Sequence, residues 1–148
     1  MADLRDVFVS APDAQALCAM LVDWPRRNPM EVEAAIALTS ALDAARVVPA
    51  AQMPEGVVKM GSTVTYLDRS TGRRQTVTVV HPAQADAGSR RVSVLSPIGR
   101  ALLGHRTGSR VDVLAPSGRR FAVQVEDVAQ AENVARRRTE DAGALALA

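Results

Sequence analysis

The sequence predicts an α+β protein in which an N-terminal antiparallel helical hairpin, a short coiled coil, precedes an antiparallel sheet with one short helix. Two observations carry this prediction. Apolar residues recur at helical spacing up to about residue 46, whereas from Val57 onward they alternate with polar residues, as in strands. A third observation is the segment 92–104, VSVLSPIGRALLG, which passes from a strand pattern directly into a short apolar helix pattern.

The hairpin is predicted from two helix starts that lie close together. Ser10 can cap the first helix, and the segment DWPRR (23–27) should end it, because proline disfavours helical geometry in the residue before it. Asn28 and Pro29 then make a second start, for a helix of about 18 residues. Helices joined by so short a loop pack antiparallel. We therefore predict a hairpin domain over residues 1–52.

The second half contains five short runs of strand character separated by turn sequences. Pro49 and Pro54 prevent a helix from continuing, so residues 47–54 are predicted to be a linker. The predicted domain covers residues 53–130, and residues 131–148 are predicted to be a charged, frayed tail. The predicted strands are 64–67, 76–80, 92–94, 111–114 and 121–128.

The short helix of the second domain is the most clearly delimited element. Ser96 is suited to cap it, and Pro97 suits the first helical position, where a missing N–H costs nothing. Gly104 can take the left-handed conformation that often ends a helix. No side chain in this segment is an obvious catalyst.

Composition excludes several classes of function. Of 148 residues four are aromatic, the net charge is +2, and Cys18 is the single cysteine, so neither a disulfide framework nor a thiolate metal site is expected. His81 and His105 have no ligand partners at metal-binding spacing, and no phosphate-binding or nucleophile motif occurs. We expect a cytoplasmic protein with no metal, no cofactor and no membrane span. A monomer is favoured, although the sequence leaves the oligomeric state open.

Several segments resemble a known bacterial family. SPIGRALLG followed by HRTGSRVDVLAPSGRR is similar to the C-terminal domain of Gre transcript-cleavage factors, and still more similar to the regulator of nucleoside diphosphate kinase (Rnk) family. The segments AAQMPEGVVKMGSTVTYLD and VVHP resemble the corresponding Rnk segments. This resemblance implies that the second domain is FKBP-like.

The resemblance also implies a partner. Members of this superfamily dock on RNA polymerase near its secondary channel, through the loop that enters the short helix. That loop is here Leu95, Ser96 and Pro97, although Gre factors commonly carry an acidic residue where this chain has Leu95. At the hairpin tip, the candidate contacts of the polymerase, and indirectly of nucleic acid, are Asp23, Trp24, Arg26 and Arg27.

The tip sequence argues against transcript cleavage. Gre-type cleavage needs carboxylates at the tip to hold a magnesium ion, and Asp23 is the single acidic residue at the turn, beside two arginines. Glu31 and Glu33 are two positions apart and cannot share a helix face. The sequence therefore predicts no catalytic residue and no enzymatic activity.

These arguments favour one function and leave two alternatives open. The favoured function is a non-enzymatic transcription regulator of the Rnk type that binds RNA polymerase and competes with Gre-like factors. The first alternative is a transcript-cleavage elongation factor with a degenerate acidic tip. The second is a nucleic-acid-binding module that uses its arginines, whose binding to free DNA or RNA would depend steeply on salt.

Overall fold

The first part of the chain is helical and is bracketed by two short strands. The structure, a computed structural model, describes residues 7–115 and 117–130. The predicted tail at 131–148 therefore lies outside the described residues. The elements of this first part are β1 (Phe8–Ser10), α1 (Ala11–Arg27), a 3-10 turn (Pro29–Glu31), α2 (Val32–Ala44) and β2 (Arg46–Val48).

The second part is built on a five-stranded sheet with the strand order β5-β4-β3-β7-β6. Each of the five predicted strands is present. Short 3-10 turns lie at Ala50–Gln52 and Pro82–Gln84. The strands and the one helix are β3 (Thr63–Asp68), β4 (Arg73–Val80), β5 (Arg91–Ser93), α3 (Pro97–Leu102), β6 (Arg110–Leu114) and β7 (Arg120–Ala129).

The sheet is mixed, which corrects the prediction of a wholly antiparallel one. Strands β3, β4, β6 and β7 pair antiparallel, but β5 runs parallel to β4, with Thr78 opposite Arg91 and Val80 opposite Ser93. The chain leaves β4 at Val80 and returns through a connection long enough to carry it back alongside Thr78. A tight hairpin would have reversed it instead.

Helix α1 continues through Pro25, where the sequence predicted its end. Proline removes one backbone donor, but α1 ends two residues later, so few helical bonds remain to be disturbed. Asn28 closes the last turn, since its backbone N–H and its side-chain Nδ2 both donate to the carbonyl of Trp24, at 2.9 and 3.0 Å. The side chain of Asn28 thus ends α1 and does not cap the element that follows.

Helix α2 is shorter than predicted. It has 13 residues, because its predicted first turn at Pro29–Glu31 is a 3-10 turn and the chain enters a strand at Arg46. That strand, β2, occupies part of the predicted linker and pairs in parallel with β1, with Phe8 opposite Arg46. No helix among the described residues is both long enough and apolar enough to cross a bilayer.

The helices and the sheet share one hydrophobic core. Leu17 and Met20 of α1 and Ala35 and Leu38 of α2 belong to the same buried cluster as the inward-facing residues of the sheet. The cluster's members from the sheet, from α3 and from the loop between β5 and α3 include Val64, Val79, Val94, Leu95, Leu102, Val123 and Val125. The helical part therefore packs on the sheet and does not extend from it.

Candidate functional site

The loop that enters α3 is held by a compact set of hydrogen bonds. The Ser96 hydroxyl accepts from the backbone N–H of Gly99 at 3.1 Å, which is the predicted cap, and donates to the carbonyl of Ser93 at 2.6 Å. The same carbonyl accepts from the Ser96 backbone N–H at 2.9 Å, and the Ser93 hydroxyl accepts from the N–H of Leu95 at 3.0 Å. Pro97 occupies the first turn of α3, as predicted. Ser93 thus fixes the turn from the strand side.

Gly99 is a required residue of this loop that the sequence reasoning missed. A Cβ at this position would lie 2.1 Å from the carbonyl oxygen of Ser93, far inside any real contact distance. The backbone of α3 can therefore approach the end of β5 closely enough for the Ser96 bonds only because residue 99 has no side chain. The sequence feature that could have indicated this close approach is a glycine inside a helix of only six residues.

Leu95 supports the loop from inside the protein. Its side chain is 2% exposed and belongs to the core, so it offers no surface to a partner. Its carbonyl accepts from Nη1 of Arg100 at 2.6 Å. Burial lowers the pKa of Arg100 from its ordinary value, yet an arginine remains charged at neutral pH. In the predicted trio, Ser96 and Pro97 are the partly exposed residues.

Gly104 joins α3 to the first strand. It has a φ of +84°, as expected for the residue that ends a helix in the left-handed conformation. Its carbonyl accepts from the N–H of Phe8 at 2.9 Å, and a Cβ here would lie 2.6 Å from Cγ1 of Val7. The close packing of β1 on this residue links the start of the helical part to the sheet domain.

Trp24, at the tip between α1 and α2, contacts the sheet domain. Its Nε1–H donates to the Glu31 carboxylate across the turn. Its ring meets the ring of His81 edge to face, with the centroids 5.7 Å apart, and the guanidinium carbon of Arg27 lies 6.0 Å from the ring centre. His81, considered from sequence only as a metal ligand, thus contacts the tip. Its Nδ1 accepts from the N–H of Ala83 at 3.1 Å.

The tip and the loop lie at the same end of the sheet. His81 directly follows β4, and the carbonyl of Val80 accepts from the N–H of Val94, the residue before Leu95. The residues that the resemblance singled out at two distant places in the sequence are therefore brought to neighbouring positions by the β4–β5 pairing. No spacing in the sequence could have indicated this proximity, because it depends on the parallel strand.

The charged groups of the tip are paired with one another. Asp23 and Arg27 form an ion pair of 2.5 Å, one helical turn apart, with both side chains about two-thirds exposed. Arg26 is exposed, and the carboxylate of Glu31 is engaged by Trp24. In the described ranges, no group of three or more histidine, cysteine, aspartate or glutamate side chains could hold a metal ion.

A cleft of about 320 Å³ lies at the base of the helical part and contains none of the predicted site residues. Asp13 is the one acidic residue in its lining, and Oδ2 of this residue accepts a hydrogen bond from the N–H of Met60 at 3.1 Å. The lining residues are Ser10, Pro12, Asp13, Ala50, Met53, Lys59, Met60 and Gln130.

Comparison with known proteins identifies the family. The model of the family described as "Transcription elongation factor, GreA/GreB, C-term" matches residues 53–130, which is more than half of the chain and contains the loop and α3. The chain belongs to the GreA/GreB C-terminal family. This confirms the resemblance to Gre factors, whereas the closer resemblance to Rnk stays a prediction.

The chain is also similar in sequence to individual proteins named GreA. Transcription elongation factor GreA of Azorhizobium caulinodans is 36% identical over 89 residues, which are 60% of this chain and 57% of the relative. GreA of Listeria monocytogenes is 36% identical over 84 residues, 57% of this chain and 52% of the relative. The chain thus spans a little over half the length of the curated relatives it matches.

A solved structure supports the fold at the level of helices and sheet. The prokaryotic transcription elongation factor GreA/GreB from Nitrosomonas europaea superposes with a TM-score of 0.61 and 28% identity, covering 83% of this chain and 97% of that protein. The mixed helix and sheet architecture is therefore that of a GreA/GreB structure. The finer descriptions, a short coiled coil and an FKBP-like sheet, stay predictions.

The prediction that the protein is not an enzyme is wrong by these comparisons. The relatives are named as GreA elongation factors, and the Gre class is the one that the sequence resemblance connects with transcript cleavage. The small number of carboxylates at the tip therefore does not decide against this class.

Proposed function

We propose that this protein is a transcription elongation factor that binds RNA polymerase through the loop entering α3 and promotes transcript cleavage through its helical tip. The observation that carries the proposal is the family match over residues 53–130, which includes the whole Ser93–Arg100 hydrogen-bonded turn. The relatives named GreA support the cleavage function over a regulator of the Rnk type.

The docking part of the proposal rests on a rigid loop with an exposed rim. Ser96 and Pro97 are partly exposed, while Leu95 directly before them and Gly99 within α3 are buried. A partner that contacts this rim meets a surface whose conformation is already fixed, so little conformational entropy is lost on binding.

The cleavage part of the proposal rests on Asp23. Its carboxylate is exposed at the tip and supplies the oxygen donors that a hard cation such as magnesium requires. Asp23 would add a ligand to a magnesium ion held by the polymerase, while Trp24 keeps Glu31 within the turn. Magnesium supplies the polarisation of water and phosphate in such a reaction. For Asp23 to act, Arg27 must give up its ion pair.

A single assay tests both parts. Backtracked elongation complexes with end-labelled RNA are incubated with the protein and magnesium, and both complex binding and RNA shortening are measured. The unsubstituted protein should bind and accelerate shortening. Asp23→Asn should abolish the acceleration and leave binding unchanged, whereas the matched Asp43→Asn, an exposed aspartate at the other end of α2, should leave both unchanged.

The docking loop has its own matched control. Ser96→Ala with Pro97→Ala should weaken binding of the complex about tenfold or more, beyond any loss of stability. Ser10→Ala removes an equivalent helix cap from α1, where the Ser10 hydroxyl accepts from the N–H of Asp13 at 3.2 Å. Each lost cap costs about 1 kcal/mol. Equal weakening by both variants would show that the loop acts only through stability, and absent binding by the unsubstituted protein would refute the proposal.

A further inference from the structure

Two arginines flank one aromatic ring where β1, β2 and the segment after α3 meet. The guanidinium carbon of Arg46 lies 5.8 Å from the centre of the Phe8 ring, and that of Arg106 lies 5.6 Å from it. Residues 8, 46 and 106 are far apart in the sequence, so the fold itself assembles this cluster. We call it the Phe8 cluster.

The backbone holds each member of the Phe8 cluster in place. Phe8 donates to the carbonyl of Gly104 at 2.9 Å and stands opposite Arg46 in the β1–β2 pair. Arg46 donates to the carbonyl of Val7 at 2.8 Å, and Arg106 forms an antiparallel bridge with Val57, which is fully buried. The backbone positions from which the two arginine side chains project are therefore fixed by the fold.

The charge of the cluster is uncompensated within the described part of the chain. The ion pairs found there join Arg27 to Asp23 and Arg74 to Glu126, and neither involves the Phe8 cluster. Both Arg46 and Arg106 are exposed. The face of a ring attracts each cation, but no carboxylate pairs with either of them in the described ranges. Acidic groups bound at the two guanidinium groups would neutralise them and use the hydrogen-bond donors that arginine offers to carboxylates.

The surroundings favour a protein carboxylate over a nucleic acid. Single-stranded nucleic acids bind where aromatic faces are open for base stacking, whereas here both guanidinium groups already lie over the Phe8 ring. Beside Arg46, strand β2 pairs with β1 and with no other strand in the described ranges, and Val47 is 52% exposed. An open strand edge with an apolar residue suits an extended peptide.

We propose that the Phe8 cluster and the edge of β2 bind an acidic, extended segment of a partner protein, whose carboxylates contact Arg46 and Arg106. This surface shares no residue with the loop that enters α3 or with the tip, so the proposal does not depend on the proposed function. Its partner is defined by chemistry: alternating acidic and apolar residues in strand conformation.

The test measures binding of a fluorescein-labelled octapeptide of alternating Glu and Val by fluorescence anisotropy. The complete protein should bind it, more weakly as salt is raised. Arg46→Gln with Arg106→Gln should weaken binding about tenfold or more. The matched control, Arg73→Gln with Arg120→Gln, removes two exposed arginines of the sheet and should leave the affinity unchanged.

Two further ligands make the test decisive. A Lys-Val octapeptide should not bind, and a thymidine octanucleotide should bind no differently to the double glutamine variant than to the unsubstituted protein. Equal loss in the control variant, or selective loss of the oligonucleotide, would overturn the proposal. If circular dichroism shows that the glutamine variant unfolds, Arg46→Lys with Arg106→Lys replaces it. That variant keeps the charge but loses the planar fork, and unchanged affinity would again overturn the proposal.

Discussion

In the turn between β3 and β4, a serine hydroxyl lowers the pKa of a neighbouring aspartate. The Ser70 hydroxyl donates to Oδ1 of Asp68 at 2.6 Å, and the Ser70 backbone N–H donates to the same oxygen at 2.9 Å. The hydroxyl bond is the main reason that the pKa of Asp68 lies below its ordinary 3.8, although slight burial acts in the opposite direction. The segment DRSTG (68–72) is typical of a turn, but its sequence does not show the hydrogen bonds within it.

Ser70→Ala should raise the pKa of Asp68 toward its ordinary value. Because the folded-state pKa is the lower one, the carboxylate stabilises the fold above the unfolded-state pKa, and this contribution disappears as the pH falls through the folded-state pKa. The stability difference between the two proteins should therefore be largest above about pH 4 and shrink in stronger acid. Carboxyl NMR titration gives the pKa, and urea denaturation between pH 2 and 7 gives the stability. An unshifted titration of Asp68 would contradict the assignment.

At the scale of elements, α3 is defined both by its cap and by its distance from β5. The cap and the first-turn proline were predictable, because Ser-Pro before an apolar run has a direct physical meaning. The parallel course of β5 and the role of Gly99 were not, since both depend on where the chain returns after β4. Strand β2 was missed for a similar reason: the segment RVV is followed directly by Pro49, and it gains its strand conformation by pairing with β1.

Gly99→Ala should destabilise the protein, because its Cβ would require the carbonyl of Ser93 to move and so break the bonds that it accepts from Ser96. Overpacking of this kind costs about 1–3 kcal/mol. Gly88→Ala is the matched control, since its Cβ would meet Oδ1 of Asp86 at an ordinary 3.5 Å. Urea denaturation measures both variants. A Gly99→Ala protein as stable as the control would show that α3 can move away from β5.

At the scale of the whole molecule, the sequence predicts a boundary between a helical and a sheet domain at residues 52 and 53. In the structure, residues of both parts belong to one hydrophobic core. Helical spacing indicates the inward positions Leu17 and Leu38, which are buried, but that pattern cannot distinguish packing of two helices on each other from packing on a sheet. Two aliphatic residues of α2 show which of its faces enters the shared core: Leu38 is fully buried, whereas Ile36 is 61% exposed.

Leu38→Ala should lower the free energy of unfolding by about 2–5 kcal/mol, and it should do so for the sheet as well as for the helices. Ile36→Ala, on the exposed face, should change it by less than about 0.5 kcal/mol. Hydrogen exchange at Val64 and Val79, which lie in β3 and β4, reports the stability of the sheet. Faster exchange in α2 with unchanged exchange at these two amides would mean that the helices unfold independently.

The contact between Trp24 and His81 gives the molecule an intrinsic optical reporter. Trp24 is the sole tryptophan, and its indole rests on an imidazole of the sheet domain. Its fluorescence emission therefore depends on whether Trp24 stays in contact with His81, and no added label is needed to measure it. A spectrum recorded during docking would register whether the helices swing away from the sheet or arrive as part of one rigid body.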